Sequence, residues 1–468
     1  MKSSKRIIVD FNNMMKERLG VQGIDKGDII KPNKKIKQAI KSLKQKREDG
    51  LLGFMYLPYD MKARDEVKKV AELVRGKFEN MVVLGIGGSA LGTIALRNAL
   101  KHPFYNMLPA EKRKGPRLFV MDNVDPEAAA GLFDIIDLKK TVVNIITKSG
   151  ATAETVAFMK ILWKKLLEKV GKSKLKDHII ITTDKEKGEL RKIANTFGFI
   201  SFAVPGNVGG RFSVLSPVGI LPLASTGINI DELLKGAAYM DTICSNNNIW
   251  KNPAYMRAIL HYISDVEFGR KITVMMPYSN ALKDVADWFA QLWAESLGKK
   301  YSITGKIVNE GLTPVKALGA TDQHSQVQLY IEGPYDKVIT FIRVEKFRND
   351  VLMPFNFKEE ESINYLSNKK MSALLNAEQI ATETALAKNQ RPSMTIILPE
   401  ISEFTLGQLI YLLEVETAFI GELYGINAFD QPGVELGKVL TCAFMGRKGY
   451  KERLKQIKLS KPNKKYVI

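Results

Sequence analysis

Short apolar runs alternate with amphipathic stretches along most of the chain, and glycine-rich or polar turns separate them. The first unit begins with the run Val82–Ile86, continues through a glycine-rich turn and enters a helical stretch at Ala90–Leu100. Further strand-like runs are Arg117–Met121, Val142–Ile146 and His178–Thr182, with helical segments at Pro126–Phe133, Ala153–Val170 and Gly188–Phe197. Strands that alternate with helices predict a parallel sheet covered on both faces.

The second half of the chain repeats this pattern, although not its residues. Strand-like runs lie at Ile272–Met276, Val327–Ile331, Val338–Val344 and Met394–Leu398, and helices are predicted at Ala281–Leu297 and Leu406–Tyr424. The fold class is therefore α/β, with two doubly wound αβα domains of mostly parallel strands and helical terminal segments. We expect an N-terminal helical segment (1–60), a first domain (61–235), a second domain (236–430) and a C-terminal segment with a basic tail (431–468).

Composition is that of a globular protein, with 45% hydrophobic and 26% charged residues among 468. No apolar run is long enough to span a bilayer and no cleavable leader is apparent, so we expect a cytoplasmic protein. Cys244 and Cys442 are predicted to be buried free thiols, and the four histidines lack metal-ligand spacing. A formal charge of +20 raises the possibility of nucleic-acid binding. Without an accompanying binding motif, it favours a lysine-rich surface, including the tail Lys461–Lys465, that attracts anionic substrates.

The first candidate motif, Gly85–Gly92, follows a strand and opens a helix. Gly85, Gly87 and Ala90 fit a loose dinucleotide-binding pattern, but Asp122 comes later than the usual spacing of about 20 residues. The alternatives are a purely structural tight turn and a turn whose glycines let a ligand approach the backbone, with the hydroxyl of Ser89 at the helix N-terminus.

The second motif, Thr147–Thr155, also lies between a strand and a helix. It places three hydroxyl groups and Lys148 around one glycine, where backbone N–H groups and the helix dipole favour an anion. There are too few glycines for a polyphosphate, so the motif predicts a monophosphate site. Ordinary helix capping by Ser149 or Thr152 is the alternative.

The third motif, Val208–Pro217, places paired glycines before Arg211. Glycines permit close backbone approach, and a guanidinium keeps its charge where negative charge develops during a reaction. On its own, Arg211 could equally form a surface ion pair.

Together these segments resemble the glucose-6-phosphate isomerase (phosphoglucose isomerase) family. Two further segments, Gly319–Gln326 and Asp430–Lys438, are similar to the histidine segment and the C-terminal signature of that family. Trp293–Lys299 is similar to its base segment. The similarity extends from about Met81 to Lys438, with the segments in family order.

The resemblance implies an enzyme that interconverts glucose 6-phosphate and fructose 6-phosphate in glycolysis and gluconeogenesis, without a metal or other cofactor. Thr147, Lys148, Ser149 and Thr152 would hold the phosphate, while Gly88, Ser89 and Gly210 would contact the sugar and Gln431 would bind nearby. Glu295 would be the base, Arg211 would stabilise the enediolate, and His324 and Lys438 would assist ring opening. The resemblance also implies a homodimer in which His324 reaches the partner subunit's site. A non-catalytic sugar-phosphate sensor of the same fold would keep the Thr147–Thr152 loop but lack the base.

Overall fold

The structure, a computed structural model, describes residues 5–450, 452 and 462–468. Lys461, the first residue of the predicted basic tail, lies outside the described residues. The chain divides into two compact units, Met1–Ala428 and Phe429–Ile468. Both large sheets belong to the first unit. The domain boundaries expected at residues 60 and 235 stay predictions.

Twelve strands are described. They are β1 (Ile8–Asp10), β2 (Asn80–Leu84), β3 (Arg117–Met121), β4 (Thr141–Ile146), β5 (Ile179–Asp184), β6 (Ile200–Val204), β7 (Ile272–Pro277), β8 (Lys299–Tyr301), β9 (Ile307–Glu310), β10 (Thr313–Lys316), β11 (Lys337–Lys346) and β12 (Ser393–Glu400).

The described helices surround and connect these strands. They are α1 (Lys16–Leu19), α2 (Lys26–Ile30), α3 (Asn33–Glu48), α4 (Met61–Lys77), α5 (Leu91–Leu100), α6 (Ala110–Arg113), α7 (Pro126–Ile135), α8 (Ala153–Lys174), α9 (Glu189–Phe197), α10 (Pro217–Ser225), α11 (Ile230–Cys244), α12 (Pro253–Val266), α13 (Lys283–Leu297), α14 (Val327–Glu332), α15 (Glu361–Asn364), α16 (Met371–Lys388), α17 (Glu403–Tyr424) and α18 (Glu435–Phe444).

The first sheet has the strand order β3-β2-β4-β5-β6, and every neighbouring pair is parallel. This order is that of a doubly wound sheet. The chain passes from β2 to β3 on one side, and then crosses to β4 on the other side of β2. Strands β2 and β4 are fully buried, and their mostly apolar composition is typical of strands covered on both faces. The carboxyl ends of β2 and β4 therefore flank the topological switch point, where such sheets bind ligands.

The second sheet has the order β1-β12-β11-β7-β10. Three of its four strand pairs are parallel, those that join β12, β11, β7 and β10, whereas β1 pairs antiparallel with β12 at the edge. A separate antiparallel pair joins β8 and β9. The α/β fold with two mostly parallel sheets is thus confirmed.

Helix α17 is the core helix of the first unit. It is long and apolar enough to cross a membrane by length and composition alone, but its apolar window is entirely buried inside the protein. A helix that is hydrophobic on every side is expected at the centre of a large domain.

Two local predictions are wrong. The run Val327–Ile331 forms α14 instead of a strand, because a short apolar run does not distinguish a strand from a helix that tertiary contacts select. Cys442 is only partly buried, although Cys244 is a buried free thiol as predicted.

Candidate active site

The glycine-rich turn after β2 brings backbone close to two other site segments. Gly87 adopts a left-handed φ of +57°, and a β-carbon there would lie 2.7 Å from the Nε2 of Gln291. A β-carbon on Gly88 would lie 2.1 Å from the carbonyl carbon of Gly210. Ser89 closes the turn before α5 begins. The glycines are therefore required by close packing of the turn on its neighbours.

The loop after β4 gathers three hydroxyl groups at the N-terminus of α8. The Oγ1 of Thr147 lies 2.7 Å from the Oγ1 of Thr152 and 3.2 Å from the Oγ of Ser149, and the last two are 3.3 Å apart. Thr152 precedes the helix but makes no side-chain capping bond. Capping does not explain this hydroxyl cluster, whose position suits an anion of monophosphate size.

The ammonium group of Lys148 contacts the backbone carbonyls of another loop. It donates to the carbonyls of Gly206, at 2.8 Å, and Val208, at 2.9 Å. Burial lowers the pKa of Lys148. The side chain therefore ties the hydroxyl loop to the segment that precedes Arg211, and its predicted contact with phosphate stays a prediction.

Arg211 is buried, with 2% exposure, so its interpretation as a surface ion pair is wrong. Its Nε donates to the Oγ of Ser296 at 2.7 Å, and its Nη2 donates to the carbonyl of Ala428 at 2.6 Å. The remaining Nη1 lies 3.3 Å from the Oε2 of Glu295. Contacts from all three nitrogens fix the plane of the guanidinium group.

Glu295 lies in the last turn of α13, which ends before Gly298 as the sequence predicted. Gln291, one turn earlier on the same helix face, donates from Nε2 to the Oε1 of Glu295 at 3.1 Å. The carboxylate is thus held from both oxygens, by Gln291 and by Arg211. Gln291 was missed in the sequence, and its only signal there is the four-residue spacing to Glu295.

His324 lies in the first unit, but in a different segment from Glu295. It ends a short 3₁₀ turn and is exposed, and the neighbouring Asp322 lines a cleft of about 420 Å³ with Lys283 and Asp284. Those two residues form the first turn of α13, whereas Glu295 is in its last turn. Twelve residues of helix span about 18 Å. The histidine segment and Glu295 of one chain are therefore at opposite ends of α13.

Gln431 and Lys438 belong to the second unit. Gln431 precedes a 3₁₀ turn at Pro432–Val434, and Lys438 lies in α18, where its ammonium group donates to the Oε1 of Glu435 at 2.7 Å. Both residues are exposed within the described part of the chain. Their predicted roles stay predictions.

No group of three metal-ligating side chains comes together within residues 5–450, 452 and 462–468. What the first unit does assemble is a hydroxyl cluster at the N-terminus of α8 and a carboxylate paired with a buried guanidinium. A cluster suited to one phosphate, together with a carboxylate beside a fixed cation, is expected in the class of sugar-phosphate isomerases. Residues 65–457 match the family model described as phosphoglucose isomerase, and the chain belongs to that family.

Relatives with similar sequences agree with this assignment. The chain is 48% identical to a glucose-6-phosphate isomerase of Carboxydothermus hydrogenoformans, over 98% of this chain and 99% of the relative. It is 43% identical to one of Rubrobacter xylanophilus, over 95% and 99%. A solved structure of a glucose-6-phosphate isomerase from Chlamydia trachomatis shares 27% identity and superposes with a TM-score of 0.71, covering 84% of this chain and 76% of that one.

Proposed function

We propose that this protein reversibly converts glucose 6-phosphate to fructose 6-phosphate through an enediol or enediolate intermediate. The observation that carries the proposal is the Glu295 carboxylate, held by Gln291 and Arg211 beside the glycine-rich turn. Membership of the phosphoglucose isomerase family, and the names of relatives that match nearly the whole chain, support it. They do not favour the non-catalytic sensor.

Substrate binding begins at the phosphate in this proposal. The hydroxyls of Thr147, Ser149 and Thr152 would donate to its oxygens, and the N-terminus of α8 would favour its negative charge. Lys148 would contribute by holding the Gly206–Val208 backbone in place. Gly88, Ser89 and Gly210 would leave room for the sugar, because side chains there would fill the space between the turns.

The chemical step needs one base that can reach two carbons. Glu295 would remove the proton from C2 of the open-chain aldose and return it to C1. The proton of the C2 hydroxyl moves to the oxygen of C1 in the same conversion, so that the ketose forms and the carboxylate is regenerated. Because Gln291 and Arg211 hold one oxygen each, the carboxylate enters the reaction in a fixed orientation.

Removal of the C2 proton places negative charge on the oxygen at C1. Arg211 would stabilise this charge, because a guanidinium group keeps its proton at every physiological pH. Ser296 and Ala428 already hold two of its donor nitrogens, so little reorganisation is needed when the charge appears.

Ring opening would use His324 and Lys438, with Gln431 near the open chain. These roles rest on the similarity of their segments to the family. The position of the histidine segment, at the far end of α13 from Glu295, supports a site to which His324 of the partner subunit contributes. The proposed active form is a cytoplasmic homodimer.

A coupled assay tests the proposal. Purified protein with fructose 6-phosphate and a chelator should produce glucose 6-phosphate. Glu295→Gln should still bind substrate but lose about 10²- to 10⁴-fold in kcat, since it keeps the size of the side chain and removes the base. Glu232→Gln, at an exposed carboxylate paired with Lys235, is the matched control and should keep full activity.

Heavy water gives a second readout. The wild-type enzyme should place solvent deuterium on C2 of glucose 6-phosphate or C1 of fructose 6-phosphate, and Glu295→Gln should lose this exchange together with turnover. Near-normal kcat in Glu295→Gln would place the base elsewhere. A wild-type protein that binds both sugars but never converts them would be the sensor.

A further inference from the structure

Two arginines lie buried at the amino end of the second sheet. Arg270 precedes β7 and is 1% exposed, and Arg391 precedes β12 and is 5% exposed. Strand β11 lies between β7 and β12, so their starts are two strand spacings, about 10 Å, apart. Side chains as long as arginine reach across that distance.

Most donors of the two guanidinium groups have no acceptor. In Arg270, Nη2 donates to the carbonyl and the Oε1 of Gln22 at 2.6 and 2.9 Å, while Nε and Nη1 are buried and unpartnered. In Arg391, Nη2 donates to the carbonyl of Ile331, and again Nε and Nη1 are buried and unpartnered. The hydroxyl of Ser393 on β12 is a further buried group with no partner among the described residues.

The two groups also lack a counter-charge within the described chain. Nearby carboxylates are already engaged, Asp336 with Lys337 and Asp265 with Lys271. Burial, and then the positive charge of Arg391, lower the pKa of Arg270 to about 10, which still leaves it protonated at neutral pH. An aromatic ring covers each guanidinium group. The Cζ of Arg391 lies 3.5 Å from the ring centre of Tyr335, and the Cζ of Arg270 lies 4.3 Å from the ring centre of Phe268.

We propose that Arg270 and Arg391 form a binding site for a small inorganic anion. Four unpartnered guanidinium nitrogens match the acceptor-only surface of such an ion. Buried water could accept these hydrogen bonds but could not neutralise two like charges in a medium of low dielectric constant. A single anion does both. Because both side chains are almost fully buried, the ligand must be small.

This site is separate from the proposed substrate site. The residues that contact the two guanidinium groups are Gln22, Phe268, Ile331 and Tyr335, and none of them is a residue of the proposed substrate site. Failure of the anion proposal would therefore leave the proposed function untouched, and the two sites can be tested by different variants.

Thermal unfolding in bromide tests the proposal on the full chain. Replacing the bulky MOPS anion by bromide at constant ionic strength should raise the Tm of the wild-type protein by about 2–4 °C, since a ligand of the native state stabilises it. Arg391→Met should lose this increment. Thr152→Ala, in the hydroxyl cluster, is the control and should keep it. The opposite pattern, in which only Thr152→Ala loses the increment, would assign the effect to the phosphate loop and overturn the proposal.

Diffraction provides a measurement that does not depend on whether Arg391→Met folds. Wild-type crystals soaked in bromide should show an anomalous peak in contact with guanidinium nitrogens of both Arg270 and Arg391. A water molecule at that position, with no anomalous signal, would overturn the proposal of an anion bound by these two arginines.

Discussion

The Nε of Arg211 and the hydroxyl of Ser296 lie 2.7 Å apart, in a pair that is almost completely buried. Ser296 follows Glu295 directly, so one turn of α13 supplies both the proposed base and the group that orients the proposed charge-stabilising residue. The relative position of Glu295 and Arg211 is thus set by a single helix end.

Ser296→Ala should reduce kcat without abolishing it. The variant removes the hydrogen bond that orients the Nε of Arg211, and a displacement of about 1 Å in a reacting group can cost on the order of 100-fold in rate. We expect a 10- to 100-fold loss in kcat with a smaller change in KM, and partial recovery in Ser296→Thr. Ser264→Ala removes a buried hydroxyl that has no partner among the described residues and should leave kcat unchanged. Equal losses in Ser296→Ala and Ser264→Ala would indicate a general packing effect.

Thr152→Ala should weaken sugar-phosphate binding. Loss of one hydrogen bond to a charged group is worth about 1.5–3 kcal/mol, which corresponds to an increase of about 10- to 150-fold in Kd. Calorimetry with a non-reacting phosphorylated sugar acid measures it. Thr155→Ala changes the same residue type three positions later, where the buried hydroxyl is unpartnered, and should keep wild-type affinity. Unchanged affinity in Thr152→Ala would exclude this hydroxyl as a phosphate ligand.

Gly88→Ala should inactivate the protein while leaving it folded. Its new methyl group would lie 2.1 Å from the carbonyl carbon of Gly210 and 2.5 Å from the amide of Arg211, so the arginine segment must move. We expect a loss of at least about 100-fold in kcat/KM. Gly76→Ala, in helix α4 with nothing within 4 Å, should instead stabilise the protein by about 0.5–1 kcal/mol and retain activity. Circular dichroism would confirm that both variants fold.

Asp241→Asn should reduce the acid sensitivity of folding. Burial raises the pKa of Asp241, but hydrogen bonds from Arg47, Tyr411 and Tyr59 outweigh it and bring that pKa below its usual value. A depressed pKa gives stability that is present above the unfolded value, about 3.9, and is lost as pH falls through the folded value. The wild-type protein should therefore lose more unfolding free energy than Asp241→Asn below about pH 4.

Urea titrations from pH 7 to pH 3 measure this difference. At pH 7, Asp241→Asn should be less stable by about 1–3 kcal/mol, because Arg47 loses its ionic partner. If the unfolding free energy fell equally with pH in the wild type and in Asp241→Asn, the lowered pKa of Asp241 would be contradicted.

Sequence patterns predicted most long elements because these depend on local periodicity. Strand β3 matches its predicted bounds, and α13 ends before Gly298 as expected. Patterns failed where tertiary contacts decide, as in α14, whose alternating apolar residues were interpreted as a strand. Strands β1 and β10 are only three and four residues long, too short for a periodic signal.

In the candidate site, too, local motifs were predicted and contacts between distant segments were not. The motifs around Thr147 and Arg211 are visible because each is a compact run of unusual residues. Contacts between segments are not, and so the bond of Lys148 to the Gly206 carbonyl was not foreseen. Gln291 was missed for the same reason, since its relevance depends on the carboxylate one turn later and on Gly87 from another segment.

Strand β1 has a consequence for the order in which the protein is made. It pairs Ile8 with Ile397, so the second sheet cannot be completed until nearly the whole chain has left the ribosome. The first sheet, within residues 80–204, is contiguous and can fold long before. At translation rates of about 5–20 residues per second, the roughly 190 intervening residues take about 10–40 s to synthesise. During that interval the nascent N-terminal strand lacks the partner strand β12, and it stays open to chaperones and to mispairing.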